Sequence, residues 1–221
     1  MINEELLIYL EQYVTEERKK KFHTVLNQRT KHFTVVLENI FQAHNASAVV
    51  RSCDVFGIQD IYTIENTNTN KVSRRIAKGS QKWLDLHRFK SGTENTEDCL
   101  TSLKNKGYQI IVTTPHNNSC TLHDFDITQK SAFVFGVEGE GVSDYVMDNA
   151  DGYLKIPMVG FTESLNISVA AAIILQDLTS RLRASEVSWE LPEKEKKEIY
   201  ISWIEKSIKN IDKLKKAFLE E

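Results

Sequence analysis

Cysteine is scarce in these 221 residues: Cys53, Cys99 and Cys120 are widely spaced and odd in number. That argues against a disulfide framework and against a metal-binding cysteine pair, and the expected compartment is a reducing cytoplasm. Long apolar runs are missing too. No stretch approaches the roughly 18 apolar residues of a membrane span, so no membrane is expected as a partner. Glu4, Glu5 and Glu11 interrupt the N-terminus where a signal peptide would carry its apolar core. No G-x-G-x-x-G sequence occurs, which removes an ordinary Rossmann methyltransferase or dehydrogenase. No cluster of His, Cys and Asp at ligand spacing occurs either, and no metal is expected. Internal repeats and low-complexity linkers are also absent.

What is present is an ordinary globular composition, 41% hydrophobic and 27% charged, enough to bury a sizeable core. The net charge of −3 does not announce a nucleic-acid binder, but its distribution is uneven. Arg18 to His32 carries six Lys and Arg residues and no acid, and Lys71 to Lys90 carries seven against Asp85 alone. Such runs are either solvated faces or an anionic-polymer footprint, and two of them in an acidic chain favour the polymer.

Hydrophobic periodicity predicts a helix from about Asn3 to Asn27 and buried strands over Phe33–Glu38 and Asp60–Glu65. Between those strands, Asn39–Asn45 reads as a polar break and Ala46–Phe56 as a helix capped by Gly57. A helix over Asn95–Lys106 precedes a strand over Tyr108–Thr113. Short strands follow over Ala132–Phe135 and Tyr153–Ile156, with a helix over Ser143–Ala150 between them. Asn166–Arg183 reads as a nearly unbroken helix, apolar on all sides over Val169–Leu175 and so expected to be buried, and one amphipathic helix follows Pro192, carrying Ile199 to Phe218. Alternating strands and helices predict an α/β fold with a largely parallel sheet, whose ligands sit beyond the carboxyl ends of the strands. Two strand ends break into glycine turns, Gly136-Val137-Glu138-Gly139-Glu140-Gly141 and Ile156-Pro157-Met158-Val159-Gly160.

Three segments in order resemble the motifs of the SpoU (TrmH-like) RNA 2′-O-ribose methyltransferases of the SPOUT superfamily. They are Asn45-Ala46-Ser47-Ala48-Val49-Val50-Arg51, Phe135 to Gly141, and Ile156 to Ser168. The resemblance covers roughly Phe33 to Arg183. It implies a SPOUT-type parallel sheet with helices on both faces, a C-terminal trefoil knot and a homodimer. It also implies S-adenosyl-L-methionine as cofactor, held largely by backbone at Gly136, Ile156, Leu165 and Thr113. The implied organisation is a helical RNA-binding extension over 1–30, a methyltransferase core over 31–186 and a helical extension over 187–221. These flanks resemble the branch that methylates a D-loop guanosine of tRNA, although Lys31-His32 stands where that branch often has Pro-Asp.

Arg51 matches the family's catalytic arginine. Two roles stay open for it: a transiently deprotonated base, or a charged group that holds a phosphate and stabilises the developing 2′-oxyanion. Asn45, Glu138, Ser164 and Asn166 complete the implied catalytic set. Asn45 and Glu138 are expected to orient Arg51 and the loops, and Ser164 and Asn166 to cap a helix. His44 reads as a structural or RNA-contacting histidine and Cys53 as core. Arg29, Lys82, Arg181 and Arg183 are the candidate RNA contacts, of the phosphate-positioning kind. Methylation of ribosomal RNA or of another tRNA position, and a catalytically silent RNA-binding protein, remain the alternatives.

Overall fold

The computed structural model describes residues 4–68, 73–115 and 119–220. Asn3 of the expected first helix, and Lys71 of the basic segment, lie outside them. The chain divides into two compact units, Thr30–Trp189 and a second made of Met1–Arg29 with Glu190–Glu221.

The larger unit is a seven-stranded sheet with every pairing parallel: β1 (Phe33–Glu38), β2 (Asp60–Ile64), β3 (Asp85–Phe89), β4 (Gln109–Thr113), β5 (Cys120–Thr121), β6 (Ser131–Phe135) and β7 (Gly152–Lys155). The order is β3-β2-β1-β6-β4-β7-β5. β1, β2 and β6 are buried at every residue, which is why they read as near-continuous apolar runs. β3 has no strand signal in the sequence. Of its residues, Asp85, Leu86, His87 and Phe89 are only partly buried and Arg88 is exposed, because β3 is an edge strand and its outer side faces solvent.

The two faces of the sheet carry separate cores. On one, α3 (Ala43–Val55) and α7 (Ile167–Arg183) pack over Phe33, Val35, Leu37, Ile61 and Phe133. Phe133 lies edge-on between Phe33 and Phe125, each ring 5.5 Å away. A short α4 (Arg74–Ala77) precedes β3; on the other face, α5 (Asn95–Asn105) and α6 (Asp144–Asp148) cover Val36, Tyr62, Ile64, Val112 and Val134. Successive residues of β1 thus point to opposite cores, as a strand's two-residue period requires.

Several expectations change. α3 begins at Ala43, so Asn45 sits inside its first turn and is buried, not in a polar break. Gly57, at φ 81°, does follow its end in the left-handed conformation. α7 is not buried all round, because Val169 and Ile173 are 46% and 38% exposed. The N-terminal helix is two, α1 (Glu4–Glu11) and α2 (Glu16–Leu26), since the Thr15 hydroxyl accepts from the Arg18 amide and caps a new start. The C-terminal helix is also two, α8 (Glu193–Ser207) and α9 (Ile211–Glu220), separated by extended Ile208 and left-handed Asn210. In this smaller unit Phe22 lies against Tyr200 and Trp203, and the Tyr200 hydroxyl donates to Glu11 at 2.7 Å.

Cys53 and Cys99 are buried and Cys120 is exposed; burial pushes the Cys99 thiol well above its ordinary range. A thiolate-specific reagent should therefore titrate one thiol in the native chain and all three in urea, read by absorbance. Phe133→Ala should lower the unfolding free energy by about 3–5 kcal/mol in urea titration.

Candidate active site

The strand order sets the site. β6 lies between β1 and β4, and β7 lies beside β4, so the loops leaving these four strands emerge side by side at the carboxyl edge. There the three sequence motifs meet. The Asn45 amide donates to Glu138 Oε1 at 3.0 Å, and the Asn166 amide donates to the same oxygen at 2.9 Å and to Asn45 Oδ1 at 3.1 Å. Gln42 Oε1 accepts a further bond from the Asn45 amide at 3.1 Å. Asn166 also caps α7: its Oδ1 accepts from the Ser168 amide at 2.9 Å and from the Ser168 hydroxyl at 2.6 Å. The cap therefore belongs to Asn166 and not to Ser164, which stands exposed two residues earlier.

Glu138 rides on a tight hairpin. Val137 and Gly141 exchange both backbone bonds at 2.8 Å, and Gly139 and Gly141 adopt φ of 91° and 79°. At Gly136 a Cβ would stand 2.0 Å from the Gly141 carbonyl oxygen and 2.4 Å from the Val142 nitrogen. The glycine is thus required by closure of the hairpin itself, before any question of a ligand's approach.

The positions implied for a methyl donor fall on neighbouring strand ends. Thr113 closes β4, Gly136 follows β6 and Ile156 follows β7. Thr113 Oγ1 donates to the Val134 carbonyl at 3.0 Å, which ties β4 to β6. Residues 156–166 belong to no strand or helix, and Val159, Phe161 and Leu165 are exposed. Their backbone groups are not used by a ladder and their apolar side chains cover no core. That suits a donor bound by main-chain groups and apolar contact.

Arg51 lies two turns along α3 from Ala43 and is exposed. Contrary to expectation, Asn45 and Glu138 do not hold it; among the described residues no hydrogen bond or ion pair engages its guanidinium. It borders a cavity of about 340 Å³ together with Ala48, Ser52, Ile76, Ser168 and Ala172. Ser168 links that cavity to the Asn166 cap. His44 is exposed in the first turn of α3, and Cys53 is fully buried in the core beneath it.

Three of the four expected RNA contacts are committed elsewhere. Arg29 is 1% exposed with its guanidinium 5.5 Å from the Trp203 ring centre, which leaves no face for a phosphate. Arg181 donates to the Asp177 carboxylate and to the carbonyls of Phe125 and Leu122, each at 2.9 Å. Arg183 donates to the carbonyls of Thr179 and Phe56, and burial lowers its pKa. Arg181 and Arg183 thus tie α7 to neighbouring segments of the larger unit, and Arg29 packs inside the smaller one. Lys82, partly buried, lies 4.8 Å over the Trp83 ring. Among the described residues no group of three or more His, Cys, Asp and Glu could hold a metal ion.

A second polar network, which no motif announces, lies beside the first. Glu38, 2% exposed at the end of β1, accepts from the Ser143 amide and hydroxyl at 2.8 and 2.7 Å and from Thr96 at 3.2 Å. Asn66 bonds Thr96 and Asn95, and Asn39 Oδ1 accepts from the amides of Asn66 and Thr67. The available signal was an acid closing an otherwise apolar strand.

Asn45→Ala and Asn166→Ala share one acceptor, so their effects on unfolding in urea should be non-additive by about 0.5–3 kcal/mol. Gly136→Ala should destabilise by about 1–3 kcal/mol in the same measurement, because the hairpin must open to admit the methyl group.

Comparison with known proteins identifies the family. The SpoU rRNA Methylase family model matches residues 32–176. A tRNA (guanosine(18)-2'-O)-methyltransferase of Borreliella burgdorferi is 39% identical over 201 residues, 91% of this chain and 90% of that protein. A Thermus thermophilus protein of the same name is 35% identical over 161 residues, 73% of this chain and 81% of its own. The crystal structure of the A. aeolicus TrmH/SpoU tRNA modifying enzyme superposes with a TM-score of 0.77 at 32% identity, covering 88% of this chain and 98% of that one. The match spans all three motifs that the sheet gathers at its carboxyl edge, and the chain belongs to the SpoU methylase family.

Proposed function

We propose that this chain transfers a methyl group from S-adenosyl-L-methionine to the ribose 2′-hydroxyl of a tRNA guanosine in the D-loop, the guanosine 18 named for its relatives. The observation that carries this reading is the bonding of Asn45, Glu138 and Asn166, one residue from each motif, into a single knot of polar contacts next to the donor loops.

The donor supplies an electrophilic sulfonium methyl group. Thr113, Gly136, Ile156 and Leu165 hold it, chiefly through backbone. A ribose hydroxyl is a poor nucleophile at neutral pH, so orientation and charge stabilisation are the tasks left to the protein. Arg51 is suited to both. Its guanidinium is exposed and uncommitted among the described residues, and can grip a phosphate beside the target ribose while facing the developing 2′-oxyanion. Asn166 and Glu138 position the loop that carries Ser164 towards the same ribose.

The smaller unit serves RNA through α2, where Arg18, Lys20 and Lys21 are exposed, and Lys82 adds a cation on the larger unit. The working form is a homodimer. Supporting this, Val159 and Phe161 are wholly exposed, and Val55, Val169 and Ile173 are exposed along α3 and α7. The trefoil threading belongs to the same reading, since the chain leaves β7, crosses the end of β6 at the Asn166–Glu138 bond and packs α7 on α3. The cytoplasm is the compartment where its tRNA substrate is found, and no described helix is long and apolar enough to cross a membrane.

Incubation with labelled S-adenosylmethionine and an unmodified tRNA transcript should label guanosine 18, and replacing that base by adenosine should abolish the label. Label on ribosomal RNA alone would overturn the substrate. Arg51→Ala should lower kcat by at least about a hundredfold, with donor affinity unchanged in calorimetry. Ile173→Glu should shift sedimentation from dimer to monomer. Lys20→Ala with Lys21→Ala should flatten the salt dependence of tRNA binding by about two units of slope or less.

A further inference from the structure

A second cavity, of about 720 Å³, opens on the β1–β2 side of the Asn45–Glu138–Asn166 contacts. Its volume falls within the roughly 300–1,000 Å³ of small-ligand sites. The donor positions Thr113, Ile156 and Leu165 do not line it. We propose that this cavity takes the base of the acceptor nucleotide, a guanine swung out of the RNA stack, held by Phe41 on its face and by Glu140 on its Watson–Crick edge. The proposal rests on the methyltransferase reading above and adds to it how the base is chosen.

Phe41 lines the cavity and is 74% exposed, so its ring is open to a ligand there. An exposed ring at the mouth of a polar cavity is a stacking platform for a base. Glu140 lines the same cavity from the apex of the hairpin, between the two left-handed glycines. The paired 2.8 Å bonds of Val137 and Gly141 fix the direction in which that apex presents the residue. Among the described residues no hydrogen bond or ion pair engages the Glu140 carboxylate, which therefore has both oxygens available.

The chemistry selects guanine. Its Watson–Crick edge sets N1–H and the N2 amino group side by side, two donors that match the two oxygens of one carboxylate. Adenine sets one donor beside one acceptor there, cytosine sets one donor beside two acceptors, and uracil flanks one donor with two acceptors, so each would set a lone pair against the carboxylate. A phosphate is a poor occupant as well, since none of the described lining residues is lysine or arginine and Glu38 and Glu138 face the same space. The phosphate falls instead to Arg51. α3 and the residue before it carry both sides: Gln42 and Asn45 border the base cavity, while Ala48 and Arg51 border the smaller one. A nucleotide lying across the start of this helix would put its ribose beside Asn166.

The test compares tRNA carrying guanosine or inosine at the acceptor position; inosine lacks only the N2 amino group. Wild-type chain should prefer guanosine in kcat/KM by about tenfold. Glu140→Gln should lose about tenfold on guanosine and show nearly equal rates on the two RNAs. Phe41→Ala should raise KM for both with a smaller change in kcat. An unchanged guanosine-to-inosine ratio in Glu140→Gln would overturn the proposal, which a merely structural glutamate would leave intact. Saturation-transfer NMR with guanosine monophosphate and the full chain needs no methyl transfer and separates the two readings. Signal at the guanine C8 proton that is lost in Phe41→Ala supports the cavity even if no RNA is methylated, in which case the methyltransferase reading fails by itself. Methylation with neither the ratio nor the C8-proton signal responding to the variants overturns the cavity alone, and silence in both assays overturns both.

Discussion

Parallel pairing of β1 with β6 is the constraint on which the site depends. Val36 aligns with Val134 and Leu37 with Phe135, so the two strands end together although about a hundred residues separate them. Every side chain on both strands is buried, and a slip of one residue would turn each apolar set towards the wrong core. The register is therefore strongly specified. Because the strands end level, the loop that opens α3 and the loop that carries Glu138 meet, and the Asn45–Glu138 bond can form. β7 then delivers Asn166 to the same oxygen from the other side.

The carboxyl edge of the sheet is held by polar bonds, not by further apolar contact. Glu138 accepts from two amides, and Glu38 accepts from Ser143 and Thr96. Each carboxylate sits where a strand has just released its backbone to a loop. A network of this kind is directional, and its geometry changes if one member goes, because Asn45 and Asn166 share one acceptor oxygen. It keeps several loops rigid without filling the space that a substrate needs. Arg51 stands outside the network and is exposed.

Much of this was legible in the residues. The buried strands were visible as apolar runs, the parallel sheet in the alternation of strands and helices, and the ends of α3 and α7 in Gly57 and Asn166. Three motifs in order pointed to the family and to Asn45, Glu138 and Asn166. Other features were not legible, for identifiable reasons. Edge strand β3 lacks an apolar run because only one of its sides is covered. Thr15 and Asn210 break helices whose apolar stripes continue across the break, so periodicity saw no interruption. Arg29, Arg181 and Arg183 resemble phosphate contacts in sequence, yet their partners are a ring, a carboxylate one turn away and carbonyls from distant segments.

The sequence by itself determined the class of fold, the family and the motifs that supply the polar residues of the candidate site, because local periodicity and short motifs are encoded by neighbours along the chain. Tertiary structure decided which of those residues touch, and which cations are exposed or engaged. It also showed that Gly136 serves the hairpin and that Glu38, Phe41 and Glu140 share a cavity with Asn45. Those outcomes depend on contacts between distant segments, such as Asn166 with Asn45, 121 residues apart, and only the order and register of the strands bring such segments together.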